Sequence, residues 1–187
     1  FSPVPFEQRK GILLVGNFRH PPNVQAFKFM VHEILPKIDP LILRDHPLYV
    51  VGTDLPRFLS SYLDVSVPNV HLIGWVPSIL PYFEQARVSV VPLLSGAGMK
   101  TKVLQALMVG LPTVSTSIGV EGMGLVDKQH VLIADDPIDF ADAISKLICD
   151  AGSWSSIRTA GHEHAVNEFS YQKAKEKFTN FLAALNL

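Results

Sequence analysis

Six short apolar runs punctuate this chain, and the stretches between them carry apolar residues at helical spacing. That alternation limits the fold more than any other feature. The runs are Gly11 to Gly16 (GILLVG), Leu48 to Gly52 (LYVVG), Asn69 to Gly74 (NVHLIG), Arg87 to Leu93 (RVSVVPL), Pro112 to Ser115 and His130 to Ala134. Runs this short and this continuously apolar match strands buried on both faces of a parallel sheet. Between the first two, a turn at Arg19-His20-Pro21-Pro22 leads into a predicted helix with Val24, Phe27, Met30, Val31, Ile34 and Leu35 on its apolar face, ending near Pro36. Helices are also predicted over Leu55 to Leu63, over Pro77 to Ala86 and after Lys100. Beyond Asp135 the pattern is helical: Pro137 to Asp150, Ser153 to Phe169, and Gln172 to Leu185 with Phe178, Phe181, Leu182 and Leu185 on one face. The expectation is an α/β fold, a three-layer sandwich with a parallel sheet of about six strands, helices on both faces and extra C-terminal helices.

The 187 residues suit one domain, expected over residues 11–187, with the Pro-containing start FSPVPFEQRK (residues 1–10) read as a linker. Apolar residues make up 48% of the chain and the formal net charge is −1, which gives no electrostatic case for nucleic acid or an anionic membrane surface. The single cysteine, Cys149, follows Ile144, Leu147 and Ile148 and reads as a core thiol in a reducing compartment. No apolar run approaches the roughly 20 residues of a membrane helix, and the first residues lack a signal-peptide pattern, so the expected location is cytoplasmic. Trp75 and Trp154 read as packing residues, and Asp135-Asp136 before Pro137 as a helix start.

The stretch Ser95 to Ser115, SGAGMKTKVLQALMVGLPTVS, carries the chemistry. A loop containing Gly96 and Gly98 follows the fourth predicted strand and opens onto a helix with Lys100 and Lys102 near its start. A helix N-terminus with two lysines suits a diphosphate, and the carboxyl end of a strand is where open α/β sheets bind ligands. Other phosphate signatures do not fit. Gly98-Met99-Lys100-Thr101 interrupts the P-loop order, and the first strand-to-helix turn, VGNFRHPPN, has Gly16 but not the further glycines of a dinucleotide site. Asn23, after the double proline, reads as the N-cap of its helix. No cluster has metal-ligand spacing, and His162 and His164 read as surface histidines on different sides of a helix. A Gly-x-Ser-x-Gly elbow is also missing from the sequence.

Four loops are expected to converge at one sheet edge: Gly16 to Arg19, Gly74 to Val76, Leu94 to Lys102 and Ser115 to Gly124. On these loops the chain resembles the retaining glycosyltransferases of the GT-B fold, in particular the C-terminal, donor-binding half of the large family-4 group. The markers are VGNFRHPPNV, GWVPSILPYFEQARVSVVPL, SGAGMKTKVLQALMVGLPTVSTSIGVEGM and HVLIADDPIDFADAI, in that order from Lys10 onward. The resemblance implies a Rossmann-like domain that binds a nucleotide-diphosphate sugar as donor substrate, with no separate cofactor and no metal. It implies that Val76 meets the base through its backbone, that Lys100 and Lys102 meet the diphosphate, and that Gly16, Arg19, Gly96, Gly98, Gln105 and Glu121 belong to the same donor site. Transfer to a glycan, lipid or protein acceptor would need an N-terminal domain absent from these residues, which could place the whole enzyme at a membrane periphery; the fragment alone is expected to be inactive.

The sequence departs from the family pattern where many members carry two glutamates, the first reaching the sugar and the second the ribose. Here those positions hold Ala97 and Gln105. An amide is a weaker partner for hydroxyls than a carboxylate. Two alternatives therefore stand beside the transferase reading: a transferase-like binding or scaffold domain without catalysis, and a nucleotide-sugar epimerase on the same architecture.

Overall fold

The computed structural model describes residues 1–55 and 69–184. Six strands form one sheet: β1 (Ile12–Val15), β2 (Leu48–Val51), β3 (Val70–Gly74), β4 (Val88–Val91), β5 (Thr113–Ser115) and β6 (Leu132–Ile133), in the order β3-β2-β1-β4-β5-β6. Every neighbouring pair is parallel. The expected α/β sandwich is therefore the observed one, and each predicted apolar run contains a strand.

Successive residues of a strand face opposite sides of a sheet, and β1 shows what that produces here. Ile12 and Leu14 join Leu48, Val50, Val88 and Val90 in a core under Phe27, Met30, Ile34 and Phe140. Leu13 joins Val51, Phe83, Ala106 and Leu111 on the other side. Helices α1 (Pro21–Phe29) and α6 (Pro137–Cys149) thus cover one face, and α3 (Leu80–Gln85) and α4 (Thr101–Val109) the other. Between them in sequence lie α2 (Pro40–Asp45), which the periodicity did not predict, and the single turn α5 (Ser117–Val120), expected as loop. Both are short and capped by a side chain, Asp39 for the first and Thr116 for the second. The long helices α7 (Ala151–Phe169) and α8 (Tyr171–Ala184) follow.

Helix boundaries follow their cap chemistry. Helix α1 starts at Pro21, because proline suits the first helical position, and this places Asn23 inside the first turn rather than at the cap. The helix then runs through a π turn (Met30–Ile34) and a 3-10 turn (Leu35–Lys37) that holds Pro36. Helix α3 begins at Leu80, inside the Pro77 to Ala86 segment. The predicted helix over Leu55 to Leu63 falls, beyond Leu55, outside the described residues. Helix α4 stops at Gly110, which takes the left-handed conformation (φ 73) and lets the Leu111 amide reach back to the Ala106 carbonyl.

Three packing expectations are corrected. Cys149 is exposed, since it lies one residue past Ile148 and so turns away from the face that Ile144, Leu147 and Ile148 bury. Trp75 is 69% exposed because it follows the edge strand β3, where alternate residues already face solvent, whereas Trp154 is a core residue. His162 and His164 are half-buried rather than on the surface: a ring nitrogen of each sits within hydrogen-bond distance of a carbonyl, Leu107 at 3.2 Å and Met123 at 2.9 Å.

Residues 1–10 lie against the domain beneath the amino ends of the strands. The Ser2 amide donates to the Val109 carbonyl, and Arg158 donates to the Ser2 carbonyl. The fully buried Arg9 spreads its guanidinium over the carbonyls of Val4, Phe83 and Ala86. The Arg87 guanidinium lies 3.5 Å from the Phe6 ring centre and donates to the carbonyls of Arg9 and Ile148. Ring faces and carbonyl oxygens hold these cations, and burial lowers the pKa of Arg9 to about 10.

Candidate functional site

Strands β1 and β4 are hydrogen-bonded neighbours, yet the chain leaves them for helices on opposite faces of the sheet. At such a switch point the two outgoing loops part and leave a crevice beyond the strand ends. From β1 comes the turn Gly16 to His20, and from β4 the loop Leu93 to Lys100. Gly96 and Gly98 hold positive φ (129 and 76), so the loop folds in a way that side-chain-bearing residues resist. The loop rests on the start of α1: Ser95 Oγ donates to Gln25 Oε1 at 3.0 Å, and a Cβ built on Gly96 would lie 3.9 Å from Pro22. A Cβ built on Gly98 would meet nothing within 4 Å, so this stretch of backbone is open to approach.

The two lysines behave differently. Lys100 occupies the cap position of α4, is 7% exposed, and folds back so that Nζ donates to the Gly96 carbonyl at 3.3 Å, closing the loop on itself. Lys102, in the first helical turn, reaches across the crevice and donates from Nζ to Asn23 Oδ1 at 2.6 Å. Burial disfavours its charged form and lowers its pKa to about 8. The amide of Asn23 also donates from Nδ2 to the Asn17 carbonyl at 2.7 Å, and its side chain leaves Gly16 little space, since a Cβ there would lie 3.1 Å from Asn23 Cγ. Gly16, Asn23 and Lys102 thus form one contiguous stack across the switch point. Sequence reasoning missed this place for Asn23, although the prolines at the first two helical positions carried the signal.

The remaining candidates surround this centre at different distances. Arg19 pairs with Asp54 at 3.2 Å in an exposed ion pair that ties the turns after β1 and β2. Gln105 is exposed on α4 and lines a groove of 390 Å³ with Ile79, Leu80, Phe83, Leu104 and Met108. Val76, half-buried past β3, packs on the same apolar cluster as Ile79. Glu121 is exposed at the end of α5, beyond β5. The structure brings Gly16, Gly96, Gly98, Lys100 and Lys102 together at the β1–β4 crevice, sets Val76 and Gln105 on the α3–α4 side, and leaves Arg19 and Glu121 exposed on the segments after β1 and β5. Among the described residues no group of three or more His, Cys, Asp or Glu side chains is placed to hold a metal ion, and no helix is long and apolar enough to cross a membrane.

A doubly wound sheet whose strand-end loops carry glycines and a lysine-bearing helix start has counterparts among known proteins. The family described as glycosyl transferases group 1 matches residues 9–150. The chain belongs to this family. An uncharacterized 44.6 kDa protein in the cps region of Klebsiella pneumoniae is 28% identical to this glycosyl transferase chain over 170 residues, covering 86% of the chain and 41% of the relative. Among solved structures, a TarM variant of S. aureus in complex with fondaparinux, alpha-GlcNAc-glycerol and UDP superposes with a TM-score of 0.80 at 15% identity, over 96% of this chain and 36% of TarM. HepE of Anabaena in complex with UDP gives 0.78 at 13% identity, over 96% of this chain and 50% of HepE. The C-terminal domain of a group 1 glycosyl transferase, LpcC of Francisella tularensis, gives 0.69 at 16% identity and is matched over 90% of its length and 89% of this chain. The chain therefore spans about two fifths of its curated relative and has nearly the extent of the LpcC domain. These structural likenesses establish a GT-B type Rossmann-like fold.

Proposed function

We propose that this glycosyl transferase domain binds the donor, a nucleotide-diphosphate sugar, with its diphosphate in the β1–β4 crevice. The observation that carries the reading is Lys102, whose ammonium is drawn into that crevice with a neutral amide as its hydrogen-bond partner. A half-buried cation with no carboxylate partner among the described residues gains most from an anionic ligand, and the amino end of α4 adds the favourable end of a helix dipole. Gly98 leaves the backbone open for close approach, and Lys100 holds the loop shape that exposes it. On this reading the nucleoside lies toward the α3–α4 side, where Gln105 lines a groove with Ile79 and Val76 packs on the same cluster as Ile79. UDP in the TarM and HepE complexes makes it the first nucleotide to test.

The sugar would pass, with retention at the anomeric carbon, to a glycan, lipid or protein acceptor held by a further domain in a cytoplasmic or membrane-peripheral enzyme. As the glycosidic bond breaks, charge builds on the leaving phosphate, and Lys102 stabilises it. The departing phosphate can take the acceptor's proton, so the site needs no carboxylate pair of the glycosidase kind. Calorimetry of the 187-residue chain with UDP, GDP and ADP tests the donor site. Lys102→Ala is expected to weaken the best binder by about 10- to 100-fold, the range for one charge-assisted contact. Absence of binding by all three would sink the donor reading and favour a scaffold domain, the reading that Ala97 and Gln105 support.

A further inference from the structure

We infer that Asn23 is the positioning residue of the donor site: through its side-chain amide the turn after β1 aims the Lys102 ammonium into the crevice between β1 and β4. This inference rests on the donor-site reading and adds a residue to it. Both ends of the amide are committed. Nδ2 faces the Asn17 carbonyl at 2.7 Å, which leaves Oδ1, the acceptor, toward Lys102 Nζ at 2.6 Å. An ammonium has only donors and a carbonyl only an acceptor, so the two partners together dictate which amide atom faces which. Rotation of the side chain is further restricted by Gly16, whose Cα lies so close that an added Cβ would stand 3.1 to 3.3 Å from Asn23 atoms. The Asn17 side chain is itself engaged, with Oδ1 accepting from the Arg19 amide at 2.9 Å, so the turn that presents the Asn17 carbonyl is internally braced.

The choice of an amide has a chemical consequence. A carboxylate at this place would have no hydrogen to give the Asn17 carbonyl, and it would neutralise Lys102 and repel an incoming phosphate. An amide fixes the direction of the ammonium and leaves its charge for the ligand. The stack also couples the two sides of the switch point, since Lys102 belongs to α4 on one face and Asn23 to α1 on the other.

Two measurements on the 187-residue chain test the inference separately from the donor reading. NMR titration of the Lys102 side chain without nucleotide probes the tether. The near-isosteric Asn23→Asp is expected to raise the Lys102 midpoint by about 1–3 pH units, as a carboxylate at hydrogen-bond distance does, and an unmoved midpoint overturns the tether whether or not any nucleotide binds. Calorimetry with UDP, and separately with GDP, then probes positioning in a double-mutant cycle. Asn23→Ala is expected to weaken binding roughly tenfold when Lys102 is present and to have little further effect in the Lys102→Ala background. Equal losses in both backgrounds overturn the positioning role and leave Asn23 as a structural residue of the turn. Failure of the wild-type chain to bind UDP, GDP and ADP alike overturns the donor reading itself, together with the role assigned to Asn23 within it.

Discussion

At the scale of single residues, Lys102 links burial to binding, and the two effects run in opposite directions with pH. Its pKa is about 8 in the folded chain against an ordinary value of 10.5, so the unfolded chain binds the proton more tightly. Below about pH 8 the lysine is charged in both states and its burial costs stability; as pH rises from about 8 toward 10.5 that cost is relieved. Diphosphate binding needs the ammonium and should weaken as pH rises through the folded-state value of about 8. The expected outcome is that UDP affinity falls between pH 7 and 9 in calorimetry, and that Lys102→Ala removes this dependence. Gln105 offers a second residue-scale test. If it faces the ribose, Gln105→Glu supplies a stronger acceptor for hydroxyl groups and should tighten UDP binding by roughly five- to tenfold. Unchanged affinity would place the ribose elsewhere.

At the scale of elements, caps and breakers decide where helices begin, and through that what the loops can do. Asp136 accepts from the Ile138 amide at 2.7 Å and caps α6, the helix that covers one face of the sheet with Phe140, Ile144 and Leu147. Asp136→Ala should lower the free energy of unfolding by about 1 kcal/mol, read from urea denaturation, without changing UDP affinity, since this cap is far in sequence and role from the crevice. The six strands and the longer helices were legible in the sequence because their apolar residues recur at the right spacing, although α8 leaves Phe178 and Phe181 exposed. The short α2 and α5 were not, since elements of four to six residues carry too little periodicity and depend on one capping side chain. Asn23 was misread for a related reason. An asparagine near a helix start suits a cap, but the prolines before it had already taken the first helical positions.

For the whole molecule, the underside of the sheet is organised by Trp154. Its ring is 2% exposed, its indole Nε1 donates to the Arg87 carbonyl at 2.7 Å, and the guanidinium groups of Arg9 and Arg158 lie 5.4 and 5.0 Å from its ring centre. Through these contacts α7 holds β4 and the first ten residues in one assembly, with Phe6 against the tryptophan edge at 5.5 Å. Trp154→Phe keeps most of the ring and orphans the Arg87 carbonyl, so it should destabilise by about 1–3 kcal/mol in urea denaturation. UDP affinity should be unaffected at temperatures where the variant remains folded, because this cluster lies at the amino ends of the strands and the crevice at their carboxyl ends.

The order of apolar runs and amphipathic stretches determined the class of fold, the parallel sheet and the place of a phosphate-suited loop at a strand's end. These are local properties, written in the period of side chains and in the glycines, prolines and acids at element ends. Which side chains meet was decided only in three dimensions. Asn23 and Lys102 are 79 positions apart and touch because β1 and β4 pair in the sheet while α1 and α4 lie on opposite faces. The same packing gives Lys102 its lowered pKa, since desolvation depends on what surrounds the ammonium and not on its neighbours in the chain.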